Sequence, residues 1–205
     1  MRIDSHHSYS AQYTLAYLQT ILERNRFARS ILVGPPQPLP EFIAGIIAPL
    51  SALTDDPRIC AVQISRAADA ERVPPHVPMD VLGLLPQVPA IAAQFPERTI
   101  VIDHLGYPPT ESWTADLERA AQFSNVYCKL SGLTMFGEAR PYVQRALALF
   151  SPARLMFGSD WPNGLPAYTW KTSLASFTQA IGAQTIDVRE QLLGGTAARV
   201  YRLAP

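Results

Sequence analysis

The sequence predicts an α/β protein that forms a compact, distorted (β/α)8 barrel in which some outer helices are missing. Eight short apolar runs rich in Val and Ile recur along the chain, helical patterns lie between several of them, and many of the runs end in polar residues. Short apolar runs are typical of parallel strands that are buried on both faces. Their alternation with helical patterns indicates βαβ units, and eight such units indicate a closed barrel.

The eight runs predict strands of about five to eight residues each. They cover 2–6, 30–34, 42–49, 58–65, 78–84, 99–104, 125–131 and 155–160. The first helical pattern, at 13–25, places Leu15, Leu18, Ile21 and Leu22 on one face. Similar patterns occupy 86–96, 114–123 and 139–150, and two more, "TWKTSLASFTQAIG" and "DVREQLLGGTAARVYRL", close the chain.

Two connections are too short for ordinary crossover helices. Only 35–41 separates the second and third runs, and only 51–57 separates the third and fourth, whereas a parallel connection usually needs a dozen or more residues. The helical ring is therefore predicted to be incomplete beside the third strand. This leaves wall residues such as Ile43 or Ile47 to be covered by a loop or by a second copy in a homo-oligomer. An open doubly wound sheet, or a barrel with an irregular or antiparallel third run, is the alternative.

Composition favours a soluble globular protein with one domain over 1–205. The chain is 48% hydrophobic, and its 17 basic and 17 acidic residues give a net charge of zero. Because these charges are scattered singly, neither nucleic acid nor an anionic membrane is an expected partner. Cys60 and Cys128 lie in separate apolar runs, as reduced core thiols of a cytoplasmic protein would. No export signal is visible, and no apolar stretch approaches the ~20 residues of a membrane span.

Polar side chains gather where the predicted strands end. The first strand ends in "DSHHS", the sixth in "IDHLG", the seventh in "CKLSG" and the eighth in "GSDWP". In a barrel of this type the active site lies at the carboxyl ends of the strands. We therefore expect two His and one Asp to converge on one rim, together with the hydroxyls of Ser8, Ser65 and Ser131.

Several blocks resemble the amidohydrolase-2 family. They include "MRIDSHHS", "DPRICAVQIS", "FPERTIVIDHLGYPP", "NVYCKLSGL", "RLMFGSDWPNG" and "GGTAARVYRL", and they run nearly from end to end. The likeness is to the branch that contains lactone hydrolases acting on 2-pyrone-4,6-dicarboxylate and on sugar lactones. The resemblance implies a distorted (β/α)8 barrel in which "FIAGIIAPL" is the third strand.

The resemblance also implies site residues. The family's D-x-H-x-H motif falls on Asp4, His6 and Ser8, so that a serine replaces the second histidine. The sixth-strand histidine of the family matches His104, and its eighth-strand aspartate matches Asp160.

The family's residue roles are harder to assign at other positions near these residues. Asp103, before His104, would point away from the lumen and tether the barrel. Gln63 stands where members often carry a cationic residue. His7 cannot replace the lost histidine, since adjacent strand residues point to opposite faces, and a structural role is favoured for it. His76 is expected in an exposed loop.

Each candidate also has a structural alternative. Asp160 could cap the turn after its strand, and His6 and His104 could be hydrogen-bonded rim residues without a chemical role. Lys129 and Ser131 alternate towards one face and could bind substrate, although a lysine at a strand end could instead reach solvent. Trp161 could be packing or a wall of the site.

The leading functional prediction is a metal-independent hydrolase that opens a small lactone, either a sugar lactone or a carboxylated lactone from aromatic degradation. Asp160 would act as general base, and His6 and His104 would bind the carbonyl oxygen. The predicted substrate-binding residues are Ser8, Gln63, Ser65, Lys129, Ser131 and Trp161.

No cofactor is expected, since Ser8 replaces a ligand, but His6, His104 and Asp160 could hold zinc or manganese weakly. The alternatives are a metal-dependent decarboxylase of the same family and a degenerate barrel that binds a small acidic ligand without turnover.

Overall fold

The structure is a computed structural model that describes residues 1–8 and 10–203. Its single sheet has eight parallel strands in consecutive order, which confirms the predicted barrel architecture. The strands are β1 (Ile3–Ser8), β2 (Arg29–Val33), β3 (Ile43–Pro49), β4 (Ile59–Ile64), β5 (Met79–Val81), β6 (Ile100–Ile102), β7 (Val126–Leu130) and β8 (Leu155–Phe157).

The helices cover only part of the sheet. They are α1 (Leu15–Arg24), α2 (Val88–Gln94), α3 (Trp113–Ala121), α4 (Arg140–Leu149), α5 (Trp170–Ile181), α6 (Ile186–Glu190) and α7 (Thr196–Val200). The described residues between β2 and β3 contain no helix, and those between β3 and β4 contain only the 3-10 turn Leu50–Ala52. The predicted gap beside the third strand is therefore confirmed, and it extends to the β4–β5 connection, which holds only the 3-10 segment Ala67–Arg72.

The barrel closes through residues that follow β8. The amide of Asp160 donates to the carbonyl of His6 at 2.9 Å, and the amide of Ser8 donates to the carbonyl of Trp161 at 2.8 Å. A single parallel bridge between His7 and Trp161 takes the place of a regular ladder. The segment that carries Asp160 is therefore itself the seam of the barrel, so its backbone is fixed against the end of β1.

Two apolar layers lie on opposite sides of the sheet. The outer layer packs strand residues such as Cys128 and Leu130 against the helices. The inner layer fills the amino-terminal half of the lumen, where α7 closes the barrel from below. Its buried members are Ile3, Ile31, Ile47, Ala61, Val101, Met156, Ala197, Val200 and Tyr201. The carboxyl-terminal half of the lumen is left for polar side chains.

Ile43 and Ile47, which were expected to need cover from a loop or a second copy, are both covered by the chain itself. Ile43 is 6% exposed and Ile47 is fully buried within the single chain. Ile47 points into the lumen, where the inner layer covers it, rather than to the outside. Cys60 and Cys128 are both free thiols, as predicted. No helix among the described residues is long and apolar enough to cross a membrane.

Gly158 permits the close approach at the seam. A Cβ atom at this position would lie 2.7 Å from His6 Cβ and 3.0 Å from Ser131 Cβ. We expect Gly158→Ala to lower the free energy of unfolding by about 1–3 kcal/mol, because either strand end must move to accept the methyl group. Urea unfolding monitored by circular dichroism measures the change.

Gly195→Ala is the matched control for this substitution. Gly195 has helical dihedral angles, and the atoms nearest to its Cβ would belong to the flexible side chain of Gln191. Equal stability of the two variants would show that the seam tolerates a side chain at 158.

Candidate active site

Three side chains from distant parts of the sequence meet at the carboxyl-terminal rim. His6 lies on β1, His104 follows β6, and Asp160 lies three residues after β8. The two imidazole rings contact edge to face with centroids 4.6 Å apart. His6 Nε2 is 3.7 Å from Asp160 Oδ1, and one ligand-type atom from each of the three residues lies within 4.8 Å of the others. The structure thus brings together the three predicted catalytic residues.

Backbone geometry aims two of these residues into the site. Asp160 has a φ of 58° and His104 a φ of 50°, a left-handed conformation that is uncommon for residues other than glycine. Such conformations persist where the surrounding structure enforces them, and they cluster at functional sites. The seam hydrogen bond enforces the one at Asp160, and Gly132 leaves room for the ring of His104, whose Nδ1 would lie 2.9 Å from a Cβ there.

Burial sets the protonation states. Desolvation lowers the pKa of His104 to about 4, and it also lowers the pKa of His6, where the positive charge of Lys129 adds to the effect. Both imidazoles are therefore uncharged at neutral pH. Desolvation raises the pKa of Asp160, against the attraction of His104 and a hydrogen bond from Asn163. The carboxylate is consequently a stronger base than an exposed aspartate.

A charged layer lies in the lumen beneath His6. Lys129 is fully buried and forms ion pairs with Asp80 and with Asp103, whose Oδ1 is 2.9 Å from Nζ. Gln63 donates from Nε2 to Asp103 Oδ2 at 2.9 Å. Although burial opposes it, the pair of carboxylates raises the pKa of Lys129, so the side chain is an ammonium. Lys129 therefore reaches neither solvent nor the open rim.

The orientation implied for Asp103 was wrong. Asp103 points into the lumen, as its contact with Lys129 shows, instead of tethering the outside of the barrel. The reason is local: β6 ends at Ile102, and the left-handed residues His104 and Leu105 interrupt the alternation of faces. Asp103 and His104 can therefore both face the interior.

The predicted substrate-binding residues fall in different places. Ser131 is fully buried, and its Oγ lies 3.0 Å from His104 Nδ1. Ser8 ends β1 and accepts a hydrogen bond from Asn163 at 3.0 Å. Trp161 packs against Tyr13 with centroids 5.5 Å apart and also lines a small cavity beside Asp160.

Gln63 and Ser65 lie on another part of the rim. They line a cavity of about 290 Å³ with Arg66, Asp69 and Arg72. Of the two remaining histidines, His76 is exposed, and His7 is fully buried with Nδ1 2.6 Å from Ser30 Oγ.

Sequence reasoning missed two polar residues that orient the site. Asn163 donates from Nδ2 to Asp160 Oδ1 at 2.8 Å and also to Ser8. Asp4 points outward, where its carboxylate accepts hydrogen bonds from the backbone and hydroxyl of Ser159 at 2.8 Å and 2.6 Å, and from Trp170 Nε1 at 2.7 Å. The "SDWPN" segment and the leading Asp of the "DSH" motif were visible signals, but several of the hydrogen bonds that define their roles join residues 155 to 166 positions apart.

The rim residues match a divalent metal in the type and number of their donors. Two imidazoles and one carboxylate, with open positions for water or substrate, make up a common catalytic zinc set. Ligand atoms around tetrahedral zinc are about 3.4 Å apart, whereas those of His6, His104 and Asp160 spread over as much as 4.8 Å. The three side chains would therefore have to move inward to hold an ion.

Comparison with known proteins gives the family. A family model described as amidohydrolase matches residues 76–203, which is more than half of the chain. The chain belongs to the amidohydrolase family. An L-fucono-1,5-lactonase from Burkholderia multivorans is 34% identical over 143 residues, covering 58% of this chain and 48% of that protein. The chain thus spans about half the length of the curated relatives it matches.

Solved structures share the fold. An amidohydrolase from Burkholderia multivorans with bound Zn superimposes with a TM-score of 0.80 at 24% identity, covering 100% of both chains. A protein from Pseudomonas putida assigned as a 2-pyrone-4,6-dicarboxylic acid hydrolase gives a TM-score of 0.73 at 19% identity, covering 98% of this chain and 97% of the other. At these identities the likeness establishes the barrel and not its substrate.

The Asp4 cluster gives a stability prediction. We expect Asp4→Asn to lower the free energy of unfolding by about 1–3 kcal/mol. In either orientation, the amide NH2 group would face an N–H donor whose hydrogen bond the carboxylate now accepts. Thermal and urea unfolding measure the loss. Trp170→Phe, which removes one donor and leaves the carboxylate, is the comparison for a single lost hydrogen bond. A fully stable Asp4→Asn protein would contradict this account of the seam.

Proposed function

We propose that the protein hydrolyses a small lactone, with Asp160 as the base that activates water. The observation that supports this most directly is the placement of a buried, basic carboxylate beside two uncharged imidazoles at the carboxyl-terminal rim. Sequence similarity to L-fucono-1,5-lactonases over 58% of the chain favours a lactone over other esters.

The proposed reaction begins when Asp160 removes a proton from water and the water oxygen attacks the lactone carbonyl. His6 and His104 donate hydrogen bonds to the oxygen that becomes negatively charged, which stabilises the tetrahedral intermediate. The ring C–O bond then breaks, and protonated Asp160 returns its proton to the departing alkoxide. The product is a hydroxy acid, and Asp160 is again a carboxylate.

Asn163 and Ser131 support these groups without touching the reacting atoms in this scheme. Asn163 holds Oδ1 of Asp160, which leaves the second carboxylate oxygen for water. Ser131 contacts His104 Nδ1, which leaves Nε2 for the substrate. Both assignments follow from the hydrogen bonds that these side chains already make.

We further propose that the reaction proceeds without a metal ion. An alkoxide is a better leaving group than an amine anion, so lactone opening needs less assistance than amide cleavage. Ser8 stands where the family's motif has a second histidine. If an ion were bound, His6, His104 and Asp160 would hold it, and it would polarise the carbonyl and acidify water.

The substrate class is proposed as a small sugar lactone or a carboxylated lactone. The rim cavity of about 290 Å³ that Gln63 and Ser65 line does not include His6, His104 or Asp160, so it could hold a polar substituent of the lactone but not the reacting carbonyl. A decarboxylase of the same family and a barrel that only binds an acidic ligand remain the competing functions, and the two experiments below separate them.

The first experiment replaces the proposed base. Asp160→Asn should reduce kcat on lactones by at least ~10²-fold, the effect of losing a general base, in a pH-stat assay of acid release over a lactone panel. The melting temperature should hold or rise, because burial raises the pKa of Asp160 and the ionised form opposes folding at neutral pH. In the unmodified protein, activity should fall in acid with a midpoint above the ordinary value of 3.8.

Asp55→Asn, an exposed substitution, is the matched control and should leave kcat unchanged. If Asp160→Asn retained full activity, the proposed mechanism would be incorrect. If no lactone were opened but an acidic ligand bound, the binding function would replace it.

The second experiment removes metal. We expect the purified protein to contain well below one equivalent of zinc or manganese by mass spectrometry, and its hydrolase activity to survive prolonged chelation. Ser8→His restores the motif's second histidine and should increase the zinc affinity measured by calorimetry. This variant serves as the positive control for detecting zinc binding. Stoichiometric metal, with activity lost to chelator and restored by a divalent ion, would favour a metal-dependent hydrolase or decarboxylase instead.

A further inference from the structure

Lys129 has no role in the proposed reaction, although its ammonium group lies next to His6, one of the two proposed oxyanion donors. It is one of only two lysines in the chain, and it is fully buried on β7. Its Nζ contacts Asp80, lies 2.9 Å from Asp103 Oδ1, and lies 3.4 Å from His6 Nδ1. A buried ammonium at this position must find acceptors for three N–H groups.

Hydrogen-bond accounting distinguishes the two neutral forms of His6. If Nδ1 carries no proton, it accepts an N–H of Lys129, whose Nζ also donates to Asp80 and lies in ionic contact with Asp103 Oδ1. If Nδ1 carries the proton, its N–H faces the ammonium at 3.4 Å and can donate only to Asp103 Oδ1, 3.5 Å away. Asp103 already accepts one hydrogen bond from Gln63 at Oδ2, and its Oδ1 pairs with the charge of Lys129.

The second arrangement leaves an ammonium N–H without a good acceptor. The ring of Tyr201, with its centroid 5.6 Å from Nζ, offers only the weaker attraction of its π face. An unsatisfied N–H on a buried charge is costly. The arrangement with an unprotonated Nδ1 gives this N–H an acceptor, while Asp103 Oδ1 makes an ionic contact with Nζ but no hydrogen bond. A neutral imidazole then carries its proton on Nε2.

We infer that Lys129 is a positioning residue that holds the proton of His6 on Nε2 and so makes His6 a hydrogen-bond donor towards the rim. Nε2 is the nitrogen that faces Asp160. A protonated Nε2 can bind a carbonyl oxygen or an oxyanion, but it has no lone pair for an ion. In established metal sites, the second nitrogen of a ligating histidine usually donates to a carboxylate, a carbonyl or water. Here that nitrogen faces a cation.

Two consequences follow for the chemistry of the rim. The donor role of His6 rests on the proposed lactone hydrolysis, whereas the position of its proton is a property of the folded protein alone. Metal binding at His6 requires the proton to move from Nε2 to Nδ1, next to the ammonium, so Lys129 should weaken zinc binding. The same residue therefore favours oxyanion binding and disfavours metal binding.

The direct test uses the unmodified protein and needs no substrate. Long-range ¹H–¹⁵N correlation spectra of ¹⁵N-histidine-labelled protein at neutral pH distinguish protonated from unprotonated ring nitrogens. Only four histidines contribute signals, and His6→Gln identifies those of His6. We expect an unprotonated Nδ1 and a protonated Nε2. A protonated Nδ1, or an equal mixture of the two forms, would overturn the inference whether or not lactones are hydrolysed.

The second test removes the ammonium. In Lys129→Met, the proton of His6 should move to Nδ1, where Asp103 becomes its acceptor, and zinc affinity measured by calorimetry should increase at least ~10-fold. On an active lactone substrate, kcat should fall by ~10²-fold, as for the loss of one oxyanion donor. Lys171→Met, at an exposed position of α5, is the control and should change neither quantity.

Loss of the ammonium leaves two buried carboxylates close together, so folding of the variant must be checked. If Lys129→Met is unfolded by circular dichroism, the double variant Lys129→Met with Asp80→Asn removes the repulsion and keeps Asp103 as the acceptor. A folded variant in which His6 keeps its proton on Nε2 and its zinc affinity is unchanged would show that Lys129 does not control the tautomer. The spectra of the unmodified protein decide the question in either case.

Discussion

The site depends on the carboxylate of Asp4, which joins the first strand to the segment after the last. It accepts two hydrogen bonds from Ser159, one from Trp170 and one from the amide of His6 at 3.3 Å. This cluster lies on the outer face of the seam, opposite the lumen. Because β8 has only three residues and does not form a regular ladder with β1, these contacts fix where the next residue, Asp160, meets His6.

The lumen is divided along its axis into an apolar half and a charged half. The apolar half needs no partners beyond close packing, whereas every member of the charged half needs a specific neighbour. Lys129 forms ion pairs with Asp80 and Asp103, Gln63 donates a hydrogen bond to Asp103, and Tyr201 donates to Asp80. The rim histidines therefore lie on a layer of buried charges, and removing one member should be costly because it leaves another charge unpaired.

Much of the architecture could be predicted from local patterns. The strand count, their order, the helix positions and the incomplete helical ring all follow from short apolar runs and connection lengths. The positions of His6, His104 and Asp160 followed from the strand ends and from the resemblance. The orientation of Asp103 could not be predicted, since left-handed backbone at His104 breaks the alternation that a sequence implies. The burial of Lys129 depended on one partner on β5 and another directly after β6, and no local signal specifies such distant pairs.

The helix that closes the barrel from below has a role beyond packing. The hydroxyl of Tyr201 donates to Asp80 at 3.0–3.1 Å and is thus the lowest member of the charged layer. Parts of a folded protein can open locally without global unfolding. Each such opening of α7 would admit water under Lys129 and raise the local dielectric, weakening the electrostatic coupling between the ammonium and His6. Water is therefore kept away from the underside of Lys129 by a segment at the end of the barrel opposite the site.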